Sequence, residues 1–190
     1  MTADRRRTST RATLVKAALT LFRRHGISGT GVEQVCRHAG VSKGVFAHHF
    51  PGGKRALVAA CLERNGEEFT WLLDEAVAHS GSTTADVVRA LFGRYADLMR
   101  EHGTDVGCPM AAAAVEGRDG IAGPGSPTAA AVAHWRTEVA SRYTTLAGND
   151  ELLLTALEGA LVLARATGDP GVLDRVGDQL ASLFADCAGP

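Results

Sequence analysis

The stretch TGVEQVCRHAGVSKGVFAHHF, residues 30–50, decides the fold of this 190-residue chain. Thr30 and Glu33 form the T-x-x-E pattern of a capping box, in which two side chains satisfy free N–H groups at the start of a helix. The helix that follows has an apolar inner face at helical spacing, formed by Val32, Val35 and Cys36. The first half of the stretch therefore predicts a helix that begins at Thr30.

The second half of the stretch predicts a turn and another short helix. Ala39-Gly40-Val41 is typical of a tight turn, because glycine adopts the backbone angles that such a turn requires. Ser42 is a favourable N-cap for a helix that runs to about His49, and Pro51-Gly52-Gly53 breaks that helix. Two short helices joined by such a turn predict a helix-turn-helix, a motif whose second helix enters the major groove of DNA.

The charges of the chain are divided between its two parts. Residues 1–55 contain eleven Lys and Arg against two acidic residues, a net charge of +9, whereas residues 56–190 carry a net charge of −10. A basic head of this kind suits a polyanion, and we expect DNA binding that weakens strongly with salt. The predicted contacts lie throughout the head: Arg5, Arg6, Arg7, Thr30, Gly31, Ser42, Lys43, Gly44, Val45, His48, His49 and Lys54.

The predicted contacts have different physical roles. Gly44 has no side chain, so DNA can approach the backbone there, and Lys43 can reach a guanine edge or a phosphate. The hydroxyl of Thr30, together with the N–H groups at the start of its helix, predicts a phosphate site, and Lys54 predicts a further one. Arg5–Arg7 form a basic arm along the DNA backbone or in a minor groove, with a solvated tail as the alternative interpretation.

The chain as a whole is predicted to be all-α, with about nine helices, because its periodic segments have helical spacing and none alternates convincingly like a strand. The first helix is expected to run from Thr10 to Gly26. We expect a helix-turn-helix DNA-binding domain at residues 1–52 and a ligand-binding and dimerisation domain at residues 53–190. The helices beyond the motif are predicted at about Lys54–Ala78, Thr84–Glu101, Pro109–Glu116, Thr128–Leu146, Asp150–Ala166 and Gly171–Ala188.

Several classes of protein are disfavoured by the composition. No apolar run reaches the roughly 20 residues that span a membrane, and the N-terminus lacks the apolar segment of a signal peptide, so a cytoplasmic location without a membrane partner is expected. The four cysteines are scattered without metal-binding spacing, which favours buried thiols over a metal site, with a redox sensor left open. Phosphate loops and nucleophile motifs are absent, so neither an enzyme nor a cofactor is expected.

Residues 13–60, TLVKAALTLFRRHGISGTGVEQVCRHAGVSKGVFAHHFPGGKRALVAA, resemble the DNA-binding head of TetR-family transcriptional regulators. The matching elements are AA-x-x-LF-x-x-x-G, T-x-V-x-x-V, AGVSKG, the HHF ending and the lysine after it. GCPMAAAAVE at 107–116 and LEGALVLARATGDPGVLDRV at 157–176 are similar to the LmrA/YxaF-like branch. The resemblance implies a homodimeric repressor that binds a palindromic operator in double-stranded DNA and is released by a small-molecule effector.

One position departs from the family pattern. Ala47 stands where the family usually carries an aromatic residue, often in contact with DNA, so Lys43, His48 and His49 are expected to carry more of the binding. A regulator controlled by a partner protein, or by oxidation of cysteine, would keep the same head and is the alternative function. The cysteines considered for that role are Cys61 and Cys108.

The part of the chain beyond the head is predicted to dimerise and to bind the effector. The eighth helix is apolar nearly all round, which indicates burial in a core or between subunits. The predicted dimer interface consists of Ala156, Gly159, Ala160, Leu163, Ala164, Val176, Leu180 and Leu183. Apolar and aromatic side chains in this part also predict a ligand pocket, with an ordinary core as the alternative interpretation of each. The predicted pocket residues are Phe69, Trp71, Phe92, Tyr95, Met99, Met110, His134, Trp135 and Tyr143.

Overall fold

The computed structural model describes residues 2–80, 83–104, 107–142 and 148–186. Within these ranges the chain forms nine α-helices and no strand, so the all-α prediction is confirmed. None of the described helices is long and apolar enough to cross a membrane. The helices are α1 Thr2–His25, α2 Val32–Ala39, α3 Lys43–His49, α4 Gly53–His79, α5 Thr84–His102, α6 Pro109–Glu116, α7 Pro127–Arg142, α8 Asp150–Thr167 and α9 Gly171–Asp186.

Most helix ends agree with the sequence to within two residues, and α1 is the main exception. It begins at Thr2 rather than Thr10, so Arg5–Arg7 belong to a helix and do not form a separate arm. The sequence around them has no helix breaker, which allows the helix to extend towards the N-terminus. The predicted ends of the seventh and ninth helices, at Leu146 and Ala188, lie outside the described residues.

The chain divides into two compact units, the first formed by residues 1–65 and 109–132 and the second by residues 66–108 and 133–190. In the first unit α1 packs against α2 and α6, and α2 packs against α3. The stripe predicted for α1 is buried, with Leu14, Ala18 and Phe22 almost completely excluded from solvent. Other buried side chains complete this core: Ile27, Val35, Phe46, Phe50, Leu57 and Val58.

The helix-turn-helix is held by local backbone bonds and by caps at both helices. Gly40 ends α2 in the left-handed conformation at φ 68°, where its N–H donates to the carbonyl of Arg37 at 3.2 Å. Ser42 caps α3 as predicted, because its hydroxyl accepts from the Val45 N–H at 3.3 Å. Such a cap stabilises a helix by about 1 kcal/mol. The two caps therefore fix the point at which α3 leaves the turn.

In the second unit, α9 packs against both α5 and α8. Gly177 allows the close approach of α9 to α5, because a Cβ at this position would lie 2.7 Å from the Cβ of Phe92. The second cluster of this unit is aromatic, with the rings of Phe69 and Trp135 stacked at 4.0 Å between centroids. Both rings are almost fully buried, so the core of this unit is built on flat aromatic contacts.

The eighth helix has two distinct faces. One face is buried in the second unit and includes Leu153, Leu157, Leu161 and Ala164. The opposite face is exposed, and Leu163 keeps 54% of its accessible surface. One face of α8 therefore lies in the core of the chain, whereas burial of the other face between subunits stays a prediction.

Candidate functional site

The helix α3 exposes most of the side chains that were predicted to contact DNA. Lys43, Gly44, Val45 and His48 are exposed, and His49 is half-buried. Phe46 and Phe50 lie on the other side of the helix and are buried, with ring centroids 5.5 Å apart. These two aromatic side chains anchor α3 in the core and leave its polar face open to solvent. Ala47 also belongs to the exposed face.

Gly44 is not required by the packing of the protein itself. A Cβ at this position would meet only the hydroxyl oxygen of Ser42, at 3.8 Å, an ordinary contact distance. Glycine in a helix is unfavourable by about 0.5–1 kcal/mol relative to alanine. A glycine that the fold does not need, on the exposed face of α3, is consistent with close approach by an external partner.

The charge of Lys43 is available at the surface. Its ammonium lies 3.2 Å from a carboxylate oxygen of Glu33 on α2, and both side chains are mostly exposed. Exposed pairs of this kind stabilise a protein by about 0–1 kcal/mol. A phosphate or a guanine edge can therefore compete with Glu33 for Lys43 at little cost to folding.

The structure corrects the role predicted for Thr30. Its side chain is 1% exposed, and its hydroxyl donates to the carbonyl of Gly26 at 2.8 Å. The N-cap of α2 is the next residue, Gly31, whose N–H donates to Oε1 of Gln34 at 2.7 Å. The capping interaction therefore uses Gln34 instead of Glu33, and the Thr30 hydroxyl is not available to a phosphate. Gly31 itself is exposed.

The structure also corrects the role predicted for Lys54. Its ammonium donates to the carbonyl of Ile27 at 2.5 Å, so it holds the loop between α1 and α2. Burial lowers the pKa of Lys54 below its ordinary value, and the nearby carboxylate of Glu116 acts in the opposite direction. Lys54 is thus an internal support of the head, half-buried at the start of α4.

Glu116, at the end of α6, is a residue of the site that sequence reasoning missed. One of its carboxylate oxygens accepts from the Ser28 N–H at 2.8 Å, and its carbonyl accepts from the Ser28 hydroxyl at 3.4 Å. The same carboxylate lies against Gly26, where a Cβ would be 2.3 Å from it. Glu116 therefore ties α6 to the loop that leads into α2, across 88 positions of sequence that no local motif connects.

A second missed residue, Arg11, lies beside the end of α3. Its guanidinium carbon is 5.3 Å from the centroid of the Phe50 ring, a cation–π geometry. The Arg11 side chain is exposed, so it adds positive charge next to the end of the recognition helix. The charge excess of residues 1–55 was the only sequence signal that pointed to it.

The predicted effector residues do not form one group. Phe69, Phe92, Met99 and Trp135 are buried and Tyr95 is half-buried, all in the second unit. Trp71, 53% exposed, and His134 lie at the surface, so neither lines an interior site of the chain. Met110 is buried in the first unit, and Tyr143 lies outside the described residues.

The predicted dimer residues divide between a surface and a core. Ala156, Gly159 and Leu163 follow one another along the outer face of α8, with Leu152 as a further exposed apolar residue on that face. Ala160, Ala164 and Leu180 are buried in the chain's own core, so they cannot supply contact surface to another subunit. On α9, Leu183 is 59% exposed and Val176 is half-buried.

Two of the cysteines are unsuited to redox chemistry. Cys36 and Cys61 are buried, and burial raises the pKa of Cys36, which disfavours the reactive thiolate. Cys108 is half-buried, and Cys187 lies outside the described residues. In the part of the chain that the structure describes, no group of three or more His, Cys, Asp or Glu side chains could hold a metal ion.

Both parts of the chain match family models of transcriptional regulators. Residues 14–61 match the family model for bacterial regulatory proteins of the TetR family, and residues 84–179 match the C-terminal domain of LmrA/YxaF-like transcriptional regulators. An uncharacterised HTH-type transcriptional regulator of Mycobacterium tuberculosis is 31% identical over 186 residues, covering 92% of this chain and 93% of that protein. The HTH-type transcriptional regulator LmrA of Bacillus subtilis is 42% identical over 57 residues, 30% of each chain.

Solved structures agree on the fold. The regulatory protein TetR from Rhodobacter sphaeroides superimposes with a TM-score of 0.74 at 22% identity, covering 90% of this chain and 96% of that one. A TetR-family regulator from Streptomyces coelicolor has the same TM-score at 23% identity, covering 95% of this chain and 90% of that one. At these identities the structural likeness supports the all-α architecture alone, whereas the sequence matches carry the family.

Proposed function

The chain belongs to the TetR family of DNA-binding transcriptional regulators, which are not enzymes, and from this premise we propose that it is a ligand-responsive repressor. In this proposal a homodimer binds a palindromic operator through residues 1–52, and residues 53–190 bind the effector and dimerise. The observation that carries it is the capped helix α3, whose exposed face combines Lys43, Gly44 and His48 in a head of net positive charge.

The exposed face of α8 supports the proposal of a homodimer. Leu152, Ala156, Gly159 and Leu163 recur at spacings of three and four residues, so they form a single stripe along the helix. Small side chains at Ala156 and Gly159 allow a second helix to approach closely, and burial of the exposed half of Leu163 would contribute about 1–1.5 kcal/mol per subunit. Two recognition helices would then read half-sites about 34–36 Å apart.

The buried aromatic cluster of the second unit supports an apolar or aromatic effector. Sites for small molecules are lined mainly by apolar and aromatic side chains with a few polar groups. Phe69 and Trp135, whose buried rings stack, would supply that lining. An effector changes operator affinity only if it binds the operator-binding state and the released state of the protein with different affinities. We propose α6 as the element that transmits the difference, because Glu116 at its end is bonded to Ser28 before α2.

Fluorescence anisotropy on labelled DNA from the region flanking the gene tests the DNA-binding proposal. We expect saturable binding that exceeds binding to an unrelated fragment and weakens steeply with salt. Leu163→Arg places a charge in the proposed dimer stripe and should yield monomers in analytical ultracentrifugation, with weak operator binding. Arg at exposed Ala130, on α7, is the matched control and should remain dimeric. Operator binding by a monomeric protein would contradict the homodimer proposal.

Ala47 offers a gain-of-function test of the same surface. It is exposed on α3, so a tyrosine fits there without displacing the core. We expect Ala47→Tyr to tighten operator binding, because the phenol can reach a phosphate or a thymine methyl group. A reporter gene behind the operator then establishes the direction of control, with repression expected in the absence of effector and expression on its addition.

A further inference from the structure

The second unit contains a buried carboxylate without a charged partner. Both carboxylate oxygens of Glu158, in the middle of α8, are removed from solvent, and the described group that acts on them is the Cys108 thiol, a weak hydrogen-bond donor. Buried polar groups in folded proteins are nearly always hydrogen-bonded, and a buried charge is paired or neutralised. Glu158 is thus an exception that the packing of the chain itself does not explain.

Among the described residues, no cation contributes to the change in the pKa of Glu158. The second unit has no lysine and seven arginines. Arg165 is exposed at the surface. The other six pair with carboxylates of Asp and Glu residues different from Glu158: Arg89, Arg94, Arg100, Arg136, Arg142 and Arg175.

A second polar group of the same unit is also unsatisfied. The indole Nε1 of Trp135 is buried without an acceptor, while the face of the ring stacks on Phe69. Leaving a buried donor or acceptor unpaired costs about 1–3 kcal/mol. The unit therefore contains a buried carboxylate without a cation and a buried indole N–H without an acceptor.

We propose that Glu158 is the anchoring carboxylate of the effector site and that the effector carries a protonated amine or a related cationic donor. This inference rests on the proposed effector function and names the chemical class of the ligand. An ammonium group pairs with the Glu158 carboxylate through a charge-assisted hydrogen bond, and the apolar part of the ligand occupies the aromatic core. An acceptor on the ligand would satisfy the Trp135 N–H.

The titration of Glu158 agrees with this role. Burial raises the pKa of Glu158 to about 7, and the Cys108 thiol, in the segment before α6, acts in the opposite direction. No other charged group contributes to that change, so a bound cation would be the main counter-charge. At neutral pH the Glu158 side chain is divided between the acid and the carboxylate, and a cationic ligand favours the carboxylate.

The test compares the binding of aromatic amines with that of the corresponding alcohols, by isothermal titration calorimetry on the full chain. One such pair is naphthylmethylamine and naphthalenemethanol. We expect the amines to bind at least about tenfold more tightly than the alcohols. Since a group with pKa about 7 goes from mostly protonated at pH 6 to mostly ionised at pH 8, amine affinity should rise about tenfold over that interval. Alcohol affinity should change little.

Two variants separate the anchor from a general effect of charge. Glu158→Gln keeps the shape of the side chain and should remove both the amine preference and its pH dependence. Glu151→Gln is the matched control on the same helix, where the exposed carboxylate pairs with Arg136, and it should retain both. An amine preference that survives Glu158→Gln would overturn the assignment, as would amines that bind no better than alcohols.

The same compounds, added to the operator complex, separate this inference from the proposed function. Release of DNA by alcohols and amines alike would support the proposal of a small-molecule effector but refute the proposal that the effector is cationic. Failure of the full chain to bind operator DNA without any compound would instead refute the proposed function. Release by amines alone, lost in Glu158→Gln, is the result that supports both.

Discussion

Gly44→Ala should stabilise the protein and weaken its binding to DNA. The added Cβ meets only the Ser42 hydroxyl oxygen, at 3.8 Å, so the packing of the chain tolerates it. Replacing a helical glycine with alanine restricts the unfolded chain and raises the free energy of unfolding by about 0.5–1 kcal/mol. For a chain of this length the melting temperature should rise by about 1–4 °C.

The expected loss of DNA affinity has a different origin. If the backbone at Gly44 lies against a base edge or a phosphate, the methyl group displaces one good contact, worth about 1–3 kcal/mol, or about five- to 150-fold in the dissociation constant. The salt dependence of binding should stay the same, because no charge is removed. Urea unfolding and fluorescence anisotropy, measured on the same preparation, report the two effects separately.

Gly40→Ala is the control for Gly44→Ala. Space around Gly40 is open, but its backbone has φ 68°, so alanine there is strained and should lower the free energy of unfolding by about 1–2 kcal/mol. Stability and DNA affinity should then fall together, whereas they move in opposite directions at Gly44. Unchanged DNA affinity in a stabilised Gly44→Ala protein would refute the assignment of this position to the DNA contact.

Three further changes test other parts of the structure. Glu33→Gln releases Lys43 and removes a negative charge beside α3, so anisotropy should detect a few-fold tighter DNA binding at low salt that disappears at high salt; weaker binding would contradict it. The carboxyl of Glu158 titrates near 4.5 when unfolded and near 7 when folded, so the native state holds the extra proton between these values. Stability should therefore fall by about 3 kcal/mol as pH rises from 4.5 to 7, and unfolding of Glu158→Gln should lack this decrease. Gly177→Ala places a Cβ 2.7 Å from Phe92 and should lower the free energy of unfolding by about 1–3 kcal/mol in urea, whereas a gain would show that α5 and α9 can separate at no cost.

The helices and the exposed face of α3 were predictable because their signals are local. Ser42 caps α3 and Gly40 ends α2 through groups at most four residues away, so sequence spacing determines them. Thr30 shows the limit of such reasoning. Either Thr30 or Gly31 could be the N-cap of α2. Gly31 takes this position because the Thr30 hydroxyl bonds back to Gly26 and is buried.

The predicted effector set mixed core and surface because it was chosen by residue type. Trp71 lies two positions after buried Phe69, about 200° around the helix, which places it on the opposite face. Helical periodicity alone would have excluded it from the interior. The predicted dimer residues were divided for a similar reason, since Ala160 and Leu163 differ by three positions but fall on either side of the boundary of the buried face of α8.

The interactions that sequence reasoning missed are those on which regulation would depend. Lys54 reaches Ile27 across 27 positions and Glu116 reaches Ser28 across 88, and neither pair has a motif that links its members. Both hold the same short loop between α1 and α2. A change in α6 that moves Glu116 would therefore act on the loop that leads into the helix-turn-helix, without any residue of α3 being altered.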